Sequence, residues 1–223
     1  MAIIHPMKHM QRLREAQVVI EAIPEDPVMK RALFAQLGQV CEPSTLLASN
    51  TSSISIASLG MASGRPDRVV GIHFMNPVPV MRLVEVVRAI ETSEHTVQLA
   101  LELVRRAGKT AVVCKDSPGF IVNRVLIPMI NEAVFALEEG VASAEAIDLA
   151  MVEGTNHPVG PLALADRIGL DTVLAICEVL HQDLGDQKFR PCPLLRKYVK
   201  AGRLGRKSGH GFYVYGDQPV TVS

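Results

Sequence analysis

The sequence has no surplus of charge, no paired-cysteine spacing, no apolar run long enough to cross a membrane and no glycine-rich phosphate loop. Lysine plus arginine number 23 and aspartate plus glutamate number 23. No bulk field therefore favours nucleic acid or an acidic membrane surface. The four cysteines, Cys41, Cys114, Cys177 and Cys192, are scattered, with no CxxC. They read as reduced, buried thiols of a cytoplasmic protein. Residues 1–16 lack the long apolar centre of a signal peptide. There is no repeat and no low-complexity segment. The only early glycine is Gly38, so the strand–GxGxxG–helix unit that holds a dinucleotide pyrophosphate on backbone N–H groups has no place to form ahead of it.

What is present suits a buried core: 48% of the 223 residues are apolar and the mean hydropathy is +0.22. Met1 to Ala16 reads as a frayed end or a helix. The near-continuous apolar run Gln17–Ile23 marks a strand covered on both faces. Helical spacing of Val28, Leu33, Phe34 and Leu37 places a helix over 28–39. A second strand, Thr45–Ser49, ends in the turn-forming and capping residues Asn50-Thr51-Ser52-Ser53. A short helix follows over 54–62, then strands over 69–74 and 83–87. A helix capped by Thr92 or Ser93 runs to Arg106 and stops at Gly108. Thr110–Cys114 is a fifth strand. Alternation of strand and helix implies βαβ units in a doubly wound, mainly parallel sheet, with ligands at the carboxyl ends of its strands. From Phe120 onward the pattern is helical: 120–139 with Pro128 inside, 144–153 capped by Ser143, a helix begun by Pro161, another capped by Asp171 and running to about Leu180, and 193–200. The chain ends in a Gly-rich basic turn and a β-like aromatic strip, Phe212–Tyr215. The fold class is thus α/β followed by all-α, with domains 1–115 and 116–223.

The stretch with most chemical content is Gly71–Glu85. A strand delivers His73 to its end, Pro77 and Pro79 reverse the chain, and the next strand returns Glu85. A carboxylate on one ring nitrogen fixes the tautomer and stabilises the protonated ring, as a histidine general base requires. From spacing alone the pair reads equally well as a core histidine and a solvated charge.

The chain resembles the 3-hydroxyacyl-CoA dehydrogenases, particularly the 3-hydroxybutyryl-CoA type. The likeness is carried by Val19-Ile20-Glu21-Ala22-Ile23-Pro24-Glu25, Ala48-Ser49-Asn50-Thr51-Ser52-Ser53, Gly71–Pro77, Leu83-Val84-Glu85, Asp116–Arg124, Gly160-Pro161 with Asp166, and Lys207–Tyr213. The resemblance implies reversible NAD-dependent oxidation of a 3-hydroxyacyl-CoA, as in fatty-acid or butyrate metabolism. It implies His73 as the acid–base, Glu85 as its orienting partner, and Ser52 and Asn123 as donors to the reacting oxygen and thioester carbonyl in a pocket between the two parts. Ala22, Glu25, Lys30, Asn50, Asn76 and Lys207 match positions near the cofactor. The helical part is the family's usual dimer contact.

One departure carries expectations of its own. The family's first strand, Gly-rich turn and helix are not found, so about half of the NAD-binding domain is expected to be absent. NAD is the expected cofactor, with NADP left open because the discriminating acid would lie in that segment. Binding by this chain alone should be weak. Gln17–Ile23 would then be a central strand in an edge position, inviting self-pairing, a swapped dimer or a partner that supplies the rest. The alternatives are a non-catalytic remnant serving as a dimerisation or scaffold module, and a dehydrogenase acting on a non-CoA acid or nucleotide sugar.

Overall fold

The computed structural model describes residues 5–216, and the chain divides into two compact units, Met1–Ile121 and Val122–Ser223. In the first unit, strands β1 (Val18–Glu21), β2 (Leu46–Ser49), β3 (Val69–Phe74), β4 (Leu83–Arg88) and β5 (Thr110–Lys115) form one sheet in sequential order. β1 with β2 and β2 with β3 are parallel; β3 with β4 is antiparallel; β4 with β5 is parallel. The single reversal is the proline turn after β3, where the Asn76–Pro77 peptide is cis.

Residues of β2 are buried on both sides of the sheet. Leu47 joins Phe34, Leu37, Ile56 and Leu59 beneath α1 (Pro27–Val40) and α2 (Ile56–Ser63). Leu46 and Ala48 join Val97, Ala100 and Val104 of α3 (Glu94–Arg106) on the other face. Alternate strand residues point to opposite faces, so an unbroken apolar run serves two helix layers. Asp26 caps α1, Ser55 caps α2 and Ser93 caps α3. One detail of α1 departs from its sequence reading: Val28 is 68% exposed, and the buried face carries Lys30, Phe34 and Leu37 at i, i+4, i+7.

Among the described residues the second unit has five α-helices: α4 (Val122–Glu138), α5 (Ala144–Thr155), α6 (Pro161–Ile168), α7 (Leu170–Leu184) and α8 (Pro193–Lys200). Pro161 and Pro193 open their helices, where a missing N–H costs no hydrogen bond. Two expectations are corrected. Asp171 does not cap α7; Gly169 holds that position without a side-chain cap, and Asp171 pairs with Lys207 at 2.6 Å. The aromatic ending is no strand: single bridges tie His210 to Gly205 and to Val214. Buried Asp166 organises this turn, accepting from the Phe212 and Tyr213 amides and the Tyr215 hydroxyl at 3.0 Å each. Gly211 must lack a side chain, because a Cβ there would lie 1.9 Å from Asp166 Oδ1.

Asp148 plays a parallel part. It accepts from the Leu162 and Ala163 amides at the start of α6 and from Tyr213 Oη, all at 2.8 Å. Among the described residues no helix is long and apolar enough to cross a membrane. All four cysteines are free. Cys41, Cys177 and Cys192 are buried as expected; Cys114 is only half-buried.

Candidate active site

The β3–β4 turn does what the Gly71–Glu85 stretch suggests. His73 and Glu85 are direct partners in the antiparallel register. The imidazole Nδ1 lies 2.7 Å from Glu85 Oε2, with His73 8% exposed and Glu85 fully buried. An ionised carboxylate can only accept, so Nδ1 carries the proton of this bond, and in the neutral ring Nε2 is the nitrogen with the lone pair. Glu85 Oε1 accepts from the Ile121 amide at 2.9 Å. Gly71 allows this packing two residues upstream: a Cβ there would meet Val87 Cβ at 2.7 Å.

The Phe120 ring stands edge-on to the imidazole, with centroids 5.6 Å apart and planes at 61°. Phe120 has φ 49° and follows Gly119 at φ 76°. A bulky residue in the left-handed region is an outlier that costs about 1–2 kcal/mol.

Asn50 accepts from the Phe74 amide at 2.9 Å, tying the end of β3 to the loop after β2. The neighbouring loop is gathered by Glu25. Its Oε1 accepts from Thr51 Oγ1 at 2.5 Å, the Ser52 amide at 2.9 Å and Ser52 Oγ at 3.3 Å, and Ser53 adds two further bonds. Burial pushes the Glu25 carboxyl up, but the Thr51 hydroxyl, the Ser52 amide and the Lys30 ammonium outweigh it and hold it below the usual carboxylate value.

Lys30 is not a solvated charge. It is 1% exposed and reaches Glu21 Oε1 at 2.7 Å, Glu25 Oε2 at 3.1 Å and the Ile23 carbonyl at 3.1 Å. Glu21, 3% exposed, also accepts from the Ile23 amide and from Ser49 Oγ, each at 2.6 Å. Sequence reasoning missed Glu21. Its signal was an acid closing an apolar strand, answered nine positions later by a lysine on the apolar face of a helix.

The remaining candidates are less engaged. Ala22 and Asn76 are exposed, and Asn123 is half-buried in the first turn of α4. Lys207 has its charge matched by Asp171. Burial and the Glu85 and Asp116 carboxylates push the Cys114 thiol up to about 12, which disfavours the thiolate. No group of three or more histidine, cysteine or acidic side chains suited to a metal occurs among the described residues.

Comparison with known proteins decides the family. The model described as "3-hydroxyacyl-CoA dehydrogenase, NAD binding domain" matches residues 1–117, and the one described as "3-hydroxyacyl-CoA dehydrogenase, C-terminal domain" matches residues 119–215. The chain belongs to the 3-hydroxyacyl-CoA dehydrogenases. It is 58% identical over 217 residues to a probable 3-hydroxybutyryl-CoA dehydrogenase of Bacillus subtilis, covering 96% of this chain and 76% of that protein. It is 54% identical over 209 residues to the 3-hydroxybutyryl-CoA dehydrogenase of Bradyrhizobium diazoefficiens, covering 93% and 71%. The crystal structure of (S)-3-hydroxybutyryl-CoA dehydrogenase PaaH1 from Ralstonia eutropha matches with a TM-score of 0.92 at 49% identity, over 95% of this chain and 75% of that one.

The family is one of NAD-dependent oxidoreductases, and the chain is a member by both of its domains. The expectation of an absent half-domain gains no support, since the NAD-binding match starts at residue 1.

The described residues fit the two ends of NAD unequally. The Glu25 carboxylate and the Ser52 hydroxyl suit a polyol such as ribose. The N-termini of α1 and α2 do not suit a pyrophosphate. In α1 the Val28 and Met29 amides are taken by Asp26 at 2.8 Å, and in α2 the Ala57 amide is taken by Asp116 at 2.9 Å. A carboxylate already seated at a helix N-terminus repels a phosphate there.

Proposed function

We propose that this dehydrogenase catalyses the reversible oxidation of 3-hydroxybutyryl-CoA to acetoacetyl-CoA, in fatty-acid or butyrate metabolism. The observation that carries the reading is the His73–Glu85 pair: Nδ1 is held at 2.7 Å and Nε2 is left for a substrate hydroxyl. In oxidation Nε2 takes the C3 hydroxyl proton, and Glu85 compensates the charge that appears on the ring. In reduction the same nitrogen returns the proton. Ser52, at the carboxyl end of β2, and Asn123, opening α4, are the proposed donors to the reacting oxygen and the thioester carbonyl. Bound NAD supplies the hydride acceptor. Glu25 and Asn76 are its proposed ribose-side contacts, with buried Lys30 behind Glu25 and with Ala22, Asn50 and Lys207 beside them.

Reduction of acetoacetyl-CoA, followed by NADH absorbance, tests the reading. Turnover is expected, with kcat lowered by about 10²–10⁴-fold in His73→Ala. A silent wild type, or a His73→Ala variant as fast as wild type, overturns it. The carboxylate-capped helix ends lead us to expect NADH binding weaker than micromolar, and a titration giving tighter affinity would count against that.

The chain is further read as a homodimer or higher oligomer in the cytoplasm. Support comes from the edge of β1, which pairs only with β2 in the described sheet and exposes 41% of Ile20. Four unpaired thiols support a reducing compartment. A folded monomer by mass in dilute solution overturns the assembly.

A further inference from the structure

Phe120 and Ile121 are adjacent in sequence, and each touches a different half of the proposed acid–base pair. The Phe120 ring packs edge-on to the His73 imidazole at 5.6 Å, while the Ile121 amide donates to Glu85 Oε1 at 2.9 Å. The backbone that achieves this is unusual. Gly119 and Phe120 have consecutive positive φ, 76° and 49°, in a turn closed by the Phe120 amide on the Ser117 carbonyl at 2.9 Å. Glycine adopts that conformation freely; phenylalanine does not. Phe120 belongs to the same buried cluster as Phe34, Ile56 and Leu59, so its ring links that core to the His73 imidazole. Strained residues that persist beside a reacting group point to a role in holding it.

We propose that Phe120 is a positioning residue for the dehydrogenase reaction: its ring fixes the plane of the His73 imidazole while the following amide fixes Glu85. The inference rests on the dehydrogenase reading for its kinetic consequence, but not for its structural one. The ring closes one side of the imidazole to water. It also limits rotation about the last side-chain bond, leaving Nε2 aimed in one direction. Glu85 restrains the ring at Nδ1 only, at one edge. A second contact on the ring itself is what converts a pinned imidazole into an aimed one. Misplacing a catalytic group by about 1 Å can cost a hundredfold in rate.

Phe120→Leu keeps an apolar side chain of similar reach and removes the aromatic edge; Phe120→Tyr keeps the ring. Two readouts are compared: steady-state acetoacetyl-CoA reduction, and the ¹⁵N signals of the His73 ring in long-range proton–nitrogen correlation spectra. Phe120→Leu is expected to lower kcat by about ten- to a hundredfold with KM within about twofold, and to move the His73 nitrogen signals away from those of a single Nδ1–H tautomer. Phe120→Tyr is expected to match wild type in both. A Leu variant with wild-type kcat and wild-type nitrogen signals overturns the proposal, as does a Tyr variant as impaired as Leu. If the Leu variant does not fold, Phe120→Met is judged by the same criteria. The nitrogen readout needs no substrate, so the positioning role fails or stands even if acetoacetyl-CoA proves not to be turned over.

Discussion

The two units bury carboxylates in opposite ways. In the first, each buried acid faces a group that can carry positive charge: Glu21 faces Lys30 and Glu85 faces His73. In the second, Asp148 and Asp166 face backbone amides and tyrosine hydroxyls. A carboxylate matched by amides is a fixed strut; its partners cannot gain or lose a proton in the ordinary pH range. A carboxylate matched by an imidazole shares a proton that can be passed on. The first arrangement suits chemistry and the second suits holding a turn in place.

That contrast is broken most strongly by removing one member of each set. Lys30→Met leaves Glu21 buried beside no cation, and breaking a buried pair in this way costs about 3–5 kcal/mol. Asp166→Ala strands the amides of Phe212 and Tyr213 and the Tyr215 hydroxyl; with each unsatisfied buried group costing about 1–3 kcal/mol and some water reaching the turn, a loss of about 2–3 kcal/mol is expected. Urea denaturation measures both. The discriminating partner experiment is Glu21→Gln, which keeps shape but removes charge. In the Lys30→Met background it should recover part of the loss, whereas Asp166→Asn should recover little relative to Asp166→Ala, because asparagine has a single accepting oxygen and would turn its NH2 group towards donors. If Glu21→Gln restores nothing, Lys30 and Glu21 do not act as a pair.

How much of this was legible in the sequence follows from how local the cause is. The His73–Glu85 pair was legible because strand period and a proline turn fix the register within a dozen residues. The caps at Ser93 and Ser143 were legible for the same reason. Val28 was assigned the buried face that Lys30 occupies, because an apolar-only reading of helical spacing has no means of admitting a neutralised charge. Asp171 was read as a cap because Gly-Leu-Asp is a local capping signal; its actual partner, Lys207, lies 36 residues away. The aromatic ending looked β-like by composition, but its hydrogen bonds go to Asp166, 46 to 49 residues back in sequence. The bond that Asn50 accepts from the Phe74 amide joins two strands' ends and leaves no periodic trace. Long-range satisfaction of single polar groups is what spacing cannot reveal.

The smallest expected effect sharpens the comparison by pH, since the two units should weaken at opposite ends of the scale. Glu25 titrates below its ordinary value of 4.5 in the folded chain, so the folded form binds fewer protons in that range. Its contribution is in place above 4.5 and is lost as pH falls through the lowered folded value. Tyr215 behaves in the reverse sense. Burial, then the charge of Asp166 and the bond to it, raise its hydroxyl from 10 to about 12. Its contribution is in place below 10 and is lost as pH rises from 10 towards 12. Both side chains are partly exposed, so solvent screens the effect. Urea midpoints of wild type against Glu25→Gln should therefore converge only in acid, and those of wild type against Tyr215→Phe only in strong base. Convergence of both pairs at the same end of the scale would mean that the two units do not differ in how their carboxylates are held, and that the division between a titrating site and an amide-bound scaffold is wrong.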